Sequence, residues 1–187
     1  MRLRLVADDL TGALDSTAQF CDGTTPIPVL FQPPAAFAGE QAALDLASRE
    51  RPVEAAADLA ARAATFLAGG DPAFKKVDSL LRGHWAAELR ASLAGHFRSC
   101  VFAPAFPSQG RVTRAGRQWR VASDGTRTAT GPEIFPELER AGLAWRHGTE
   151  TDAASATGTP VSGAPVSSAP VHVFDAETDD DLRTVIA

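Results

Sequence analysis

The chain has 187 residues, 44% of them hydrophobic, enough to bury a sizeable core without a disulfide or metal framework. Eighteen Lys and Arg against 23 Asp and Glu give a formal charge of −5 with no long basic run, which argues against nucleic acid or an anionic membrane as partner. Cys21 and Cys100 fall in no Cys-x-x-Cys or Cys/His metal spacing and read as small core residues of a reduced protein.

The N-terminus, MRLRLVADDLTG, has only a short apolar run before its acidic pair, unlike a secretory signal. No segment approaches the length of a membrane span, so a cytoplasmic location is the simplest expectation. Residues 3–7 read as a buried strand, DDLTG as a polar turn and residues 13–20 as a helix. Short apolar runs follow at 28–31 and 43–47. An alanine-rich helix spans 53–67, with Leu59, Ala63, Phe66 and Leu67 on one stripe and a stop at Gly69 and Gly70.

The pattern repeats with a strand at 73–77, a helix at 85–97 and a strand at 100–103 running into PAFPSQGR. Residues 110–131, rich in Arg, Gly and Thr with little periodicity, predict a long loop or a hairpin around 118–122. A helix is expected at 133–141 and a short strand at 143–146. Residues 151–170 form a Thr, Ser, Gly, Ala and Pro tract with the composition of a flexible connector. A strand at 171–174 leads to Thr178, placed to cap a helix whose first turn carries three aspartates.

Alternating strands and helices predict an α/β fold: a doubly wound, mostly parallel sheet with flanking helices, Rossmann-like and three-layered, cut short after its last strand and helix. The expected organisation is a ligand-binding α/β domain over 1–150, a connector over 151–170, and a final strand and helix start over 171–187. In parallel sheets ligands gather beyond the carboxyl ends of the strands. Four polar loops fall at such ends: DDLTG, the Ser48–Arg49 pair, KKVDSLLRG and PAFPSQGR.

Asp8 and Asp9 point in different directions after a strand, so one is expected to face a ligand while the other organises the turn. Helix capping is the alternative for the same pair, with Thr11 and Gly12 as ordinary turn residues. Lys75 and Lys76 alternate across a strand that Asp78 closes, and Ser79 and Arg82 precede a helix. That cluster reads either as a site for a carboxylate or phosphate, or as an internal salt bridge of Asp78 with Lys76 or Arg82. Gln109, Gly110 and Arg111 present an amide, a close-approach backbone and a guanidinium. A small polyhydroxylated anion suits such a lining. No metal site is expected: the histidines lack ligand spacing, and Asp179, Asp180 and Asp181 read as a solvated helical turn.

ADDLTGALDSTAQF at 7–20, Ser48–Arg49, KKVDSLLRG at 75–83, PAFPSQGR at 104–111 and FDAETDDDL at 174–182 together resemble the four-carbon acid sugar kinases in order and spacing. The resemblance implies an N-terminal sugar-acid-binding domain of enzymes that phosphorylate threonate, erythronate or related acids at the terminal hydroxyl. Such enzymes use ATP and Mg2+ held by a C-terminal nucleotide-binding domain. The sequence contains no GxxxxGK[ST] phosphate loop, so ATP and Mg2+ are not expected to bind this chain alone. Under this resemblance Asp9 or Asp78 would orient or deprotonate the attacking hydroxyl. Asp8, Arg49, Lys76, Ser79, Arg82, Gln109, Gly110 and Arg111 would bind the acid.

Leu80 stands where the family commonly has Thr, and Leu46 where a Thr often precedes the Ser-Arg pair, which bears on acid selectivity. The expected partners are a small sugar acid and a separately encoded nucleotide-binding half, with a homodimer left open. The alternative reading is a non-catalytic module or remnant that binds a small acid. ADP release on adding ATP, Mg2+ and a glycine-rich partner separates the two.

Overall fold

The structure is a computed structural model and describes residues 1–148 and 170–186. Most of the tract read as a connector, 151–169, lies outside the described residues. The chain forms two compact units: residues 1–78 with 83–96, and residues 79–82 with the chain from 97 onward.

In the first unit, β1 (Arg4–Ala7), β2 (Val29–Leu30), β3 (Ala42–Asp45) and β4 (Ala73–Lys76) form a parallel sheet in the order β2-β3-β1-β4. β1 and β3 are buried at every position, as expected of central parallel strands covered on both faces. Leu3, Leu5 and Ala7 share a face and pack with Ala13 of α1 (Leu10–Ala18) and Ala43 of β3. Each buried leucine contributes about 2 kcal/mol of transfer free energy.

Of the stripe expected on α2 (Val53–Ala68), Ala63, Phe66 and Leu67 are buried and Leu59 is half-buried; Ala56, Ala60 and Ala64 complete the buried face, and α2 packs on α3 (Trp85–Leu93). Small side chains let these helices approach closely. The helix ends at Gly69, and Gly70 follows because a Cβ there would lie 2.7 Å from the Arg4 Cβ.

The second unit holds a parallel sheet, β5-β10-β9, from β5 (Cys100–Phe102), β9 (Trp145–His147) and β10 (Val171–Val173). It also holds an antiparallel sheet of β6 (Arg111–Arg114), β7 (Arg117–Val121) and β8 (Arg127–Thr130). Among the described residues two helices accompany these sheets, α4 (Ile134–Arg140) and α5 (Asp179–Ile186). Phe174 and Val185 form a small core with Val101 and Ala103. Thr178 caps α5 as expected, its Oγ1 accepting the Asp181 N–H at 3.1 Å, and the Asp181 carboxylate accepts the Thr178 N–H in return at 2.8 Å.

The α/β class and the parallel strands agree with the sequence reading, but the parallel strands are divided between two sheets. Of the two readings of 110–131, a long loop or a hairpin around 118–122, the structure departs from the loop: the segment is a three-stranded antiparallel sheet, and residues 118–121 lie within its central strand. The β6–β7 turn sits at Ala115 and Gly116, both at positive φ (52° and 67°), the conformation a two-residue hairpin requires, and the β7–β8 turn spans 122–126. Asp175 fixes the first of these, accepting the Ala115 N–H at 2.5 Å and the Gly116 N–H at 3.1 Å. A second departure is Cys21, which is exposed rather than in the core.

Candidate functional site

Parallel strands in register end together. Ala7 lies opposite both Asp45 and Lys76, so segments 8–9, 46–49 and 77–78 leave the first unit's sheet from one edge. The alignment continues past the strands: the Leu46 N–H donates to the Ala7 carbonyl and the Ser48 N–H to the Asp8 carbonyl, each at 2.9 Å. Between them Ala47 takes a left-handed conformation, φ 47°, with its N–H donated to Asp45 Oδ1 at 2.8 Å.

Two residues further on, the Arg49 guanidinium meets three carboxylates. Its Nε donates to Asp8 Oδ2 at 2.8 Å, Nη2 to Asp8 Oδ1 at 2.9 Å and Nη1 to Asp9 Oδ2 at 2.6 Å, while Asp78 Oδ1 lies 3.7 Å from Nη2. Burial works against the Arg49 charge, but the Asp8 hydrogen bonds and the charges of Asp8, Asp9 and Asp78 outweigh it and raise the pKa further above the ordinary arginine value. Asp8 and Asp78 are nearly buried, whereas the Asp9 side chain is 28% exposed.

The capping reading of the acidic pair holds for Asp9. Its Oδ1 caps α1, accepting the Gly12 N–H at 2.8 Å, while its Oδ2 faces Arg49. Gly12 is required by space, since a Cβ there would lie 2.7 Å from Asp9 Oδ1 and 3.8 Å from Lys76 Nζ. Lys76 Nζ donates to the Val77 carbonyl at 2.6 Å. Burial lowers the Lys76 pKa, reinforced by Arg49 and opposed by Asp8, Asp78 and Asp9. Gly83, at φ 79°, closes over the cluster, with its missing Cβ 3.3 Å from Arg49 Cγ and 3.4 Å from Asp8 Oδ2.

Behind the cluster lies a buried network that the sequence reading missed. Lys75 Nζ pairs with Glu88 Oε2 at 2.7 Å, and Ser48 Oγ donates to Glu88 Oε1 at 2.7 Å. The alternation of Lys75 and Lys76 carried half of this signal, because one of two successive strand residues faces away from the other. A glutamate on a helix gives no sign that it is fully buried, as Glu88 is.

The remaining candidates belong to the second unit. The Ser79 carbonyl accepts from Gln118 Nε2 at 2.9 Å, and Arg82 is exposed. Gly110 follows a short 3-10 turn (Pro107–Gln109) at φ 66°, where a Cβ would lie 2.5 Å from the Val121 carbonyl oxygen. Arg111 folds back, Nη1 donating to the Gln109 carbonyl at 2.9 Å. The structure thus gathers Asp8, Asp9, Arg49, Lys76 and Asp78 in the first unit, and places Ser79, Arg82, Gln109, Gly110 and Arg111 in the second.

Among the described residues no three His, Cys, Asp or Glu side chains are grouped to hold a metal ion. The three acids turn toward Arg49, which already balances their charge. Among the described residues no helix is long and apolar enough to cross a membrane.

A parallel α/β unit that delivers acids, an arginine and a lysine to the carboxyl edge of its sheet is of the class that holds small polar ligands beyond the strand ends. The profile of a family described as "Sugar-binding N-terminal domain" matches residues 3–162, and the chain belongs to this family of four-carbon acid sugar kinase N-terminal domains.

A D-threonate kinase of Cupriavidus necator is 38% identical over 117 residues, covering 60% of this chain and 28% of the relative. A D-threonate kinase of Bordetella bronchiseptica is 34% identical over 175 residues, covering 83% of this chain and 41% of the relative. The chain therefore spans less than half the length of these curated relatives. Among solved structures, a domain of unknown function from Bordetella bronchiseptica, with bound citrate and as a domain-swapped dimer, superposes at a TM-score of 0.69. It has 26% identity and covers 98% of this chain and 49% of its own. A Haemophilus influenzae protein at 20% identity and a TM-score of 0.63, covering 98% of this chain and 50% of its own, shares the fold.

Proposed function

We propose that this chain is the acceptor-binding portion of an ATP-dependent kinase that phosphorylates a four-carbon sugar acid of the threonate or erythronate type on its terminal hydroxyl. The observation that carries this reading is the convergence of Asp8, Asp9, Arg49, Lys76 and Asp78 on one strand edge, in a chain of this family. The names of the two D-threonate kinases support the substrate class, and the citrate bound to the Bordetella domain supports a small hydroxylated carboxylate.

Asp9, the most exposed of the three acids, orients the acceptor hydroxyl and takes its proton. Arg49, committed to Asp8 and Asp9, positions that carboxylate rather than binding the ligand's own. Lys76 retains N–H donors beyond its bond to Val77 and meets the acid's carboxylate as a point charge. ATP and Mg2+ supply the phosphoryl group and neutralise its charge, and no residue of this chain is assigned to them. The domain-swapped dimer of the Bordetella neighbour supports a homodimer.

Calorimetric titration with D-threonate and D-erythronate tests the reading. Saturable binding of at least one acid, weakened about tenfold or more in Asp9→Asn and Lys76→Ala, is the expected result. Absence of heat with either acid overturns it. Arg82→Ala and Arg111→Ala, titrated alongside, measure what the second unit adds. Turnover on adding ATP, Mg2+ and a nucleotide-binding half separates a kinase portion from a module that only binds.

A further inference from the structure

At the opposite edge of the first unit's sheet, about 10 Å of strand away from Ala7, Arg4 opens β1. Its residue is only 3% exposed. The guanidinium packs on two aromatic rings, 4.7 Å from the Phe37 centroid and 5.5 Å from that of Phe66, which themselves meet edge to face with centroids 6.1 Å apart. Its edges donate to the carbonyls of Leu3 at 2.9 Å, Glu40 at 2.8 Å and Gly39 at 2.7 Å. Those three bonds leave two of its five N–H groups without a hydrogen bond among the described residues. Beside it a cavity of about 310 Å³ is lined by Arg2, Arg4, Phe37, Thr65, Phe66 and Gly69, together with the Pro34–Ala36 stretch and Ala38.

A buried arginine ordinarily faces a carboxylate, because an uncompensated charge removed from water is costly. Here none answers it: no acidic side chain forms an ion pair with Arg2 or Arg4 among the described residues, and Glu40 contributes only its carbonyl. Burial, and then the neighbouring Arg2 charge, push the Arg4 pKa below its ordinary value. The carboxyl end of α2 borders the cavity at Thr65, Phe66 and Gly69, and its dipole opposes an anion with about half a unit charge, against two full charges from the arginines. The remaining walls are the Pro34–Ala36 stretch, Phe37, Ala38 and Gly39, and the cavity opens to solvent.

We propose that this cavity is a second ligand site, separate from the Asp9 cluster, that takes a small organic carboxylate with an apolar body. The carboxylate meets Arg2 and the remaining donors of Arg4, and the apolar part lies against Phe37, Phe66 and the alanines. Inorganic anions fit less well because the walls desolvate them without offering further donors.

Titration of the whole chain with benzoate, butanoate and inorganic phosphate, followed by calorimetry and NMR, tests this. Benzoate or butanoate should bind saturably and more tightly than phosphate. Arg2→Gln changes an exposed residue and should leave the fold intact, yet weaken binding about tenfold. Ala38→Trp, which fills the cavity, should abolish binding, whereas Lys76→Ala at the other edge should leave it unchanged. The proposal falls if no organic carboxylate binds saturably, if phosphate binds as tightly, if Arg2→Gln and Ala38→Trp bind like the parent, or if binding is lost in Lys76→Ala.

Discussion

Arg49 grips Asp8 side-on, Nε to Oδ2 at 2.8 Å and Nη2 to Oδ1 at 2.9 Å, and so joins the turn after β3 to the turn after β1. Both side chains are largely removed from water, at 15% and 6% exposure. Removing one partner strands the other. Arg49→Ala should therefore lower unfolding free energy by about 3–5 kcal/mol, measured by urea denaturation. Arg49→Lys should recover only part of it, because an ammonium cannot reproduce the planar fork. A loss within 0.5 kcal/mol, the scale of an ordinary surface substitution, would show that Asp8 finds another partner.

Lys75 and Glu88 form the second buried pair, with Ser48 as the third member. Glu88→Gln should cost about 3 kcal/mol, since it leaves a buried ammonium without its counter-charge. The double variant Lys75→Met with Glu88→Leu should be far less damaging than the two single changes summed. Additive losses in that cycle would mean the two groups are not coupled.

How far all this could be read from sequence depended on whether a segment's own residues decide its structure. β1 and β3 were legible because a strand buried on both faces is mostly apolar, as residues 5–7 and 42–44 are, with a charge only at one end of each, Arg4 and Asp45. The β6-β7-β8 sheet was not, because RVTR, RQWRV and RTAT carry arginines and threonines where an apolar alternation would have marked a strand. Its register rests instead on the Ala115–Gly116 turn and on Asp175, 60 residues further along the chain than Ala115. At the site, the residues of the first-unit cluster stood out by type, but the direction in which Arg49 points did not. A guanidinium at a strand end looks the same in sequence whether it awaits a ligand or already holds three acids.

Lys76 gives a pH dependence. Its folded pKa is lowered from the ordinary value of 10.5, chiefly by burial, so the unfolded chain binds this proton more tightly. Between the folded pKa and 10.5 the unfolded state carries more protons, and this residue makes stability rise with pH through that window. Denaturation of the parent and of Lys76→Met across the alkaline range should give curves whose difference grows toward high pH in the parent's favour. A difference that is flat, or of opposite slope, would contradict the burial of the ammonium.

Gln118 is the test of how the segment 79–82, SLLR, is held within the second unit. The side chain is fully buried: Oε1 accepts the Thr113 hydroxyl at 2.6 Å, and Nε2 donates to the Ser79 carbonyl at 2.9 Å and the Pro104 carbonyl at 3.2 Å. Gly131 closes on the same segment, where a Cβ would meet the Leu80 carbonyl oxygen at 2.6 Å. Gln118→Leu keeps the volume near constant but removes the shared donors and the acceptor, and each group left unsatisfied costs about 1–3 kcal/mol. Global stability should therefore fall by roughly 2 kcal/mol or more. Amide exchange over residues 79–82 should quicken beyond what the global loss explains, because the Ser79 carbonyl has lost its donor. Leu81 sits in a left-handed conformation at φ 57°, and a backbone in that region persists only while its surroundings enforce it. If exchange at 79–82 instead tracks the global loss alone, Leu81 packing rather than Gln118 holds the segment in place.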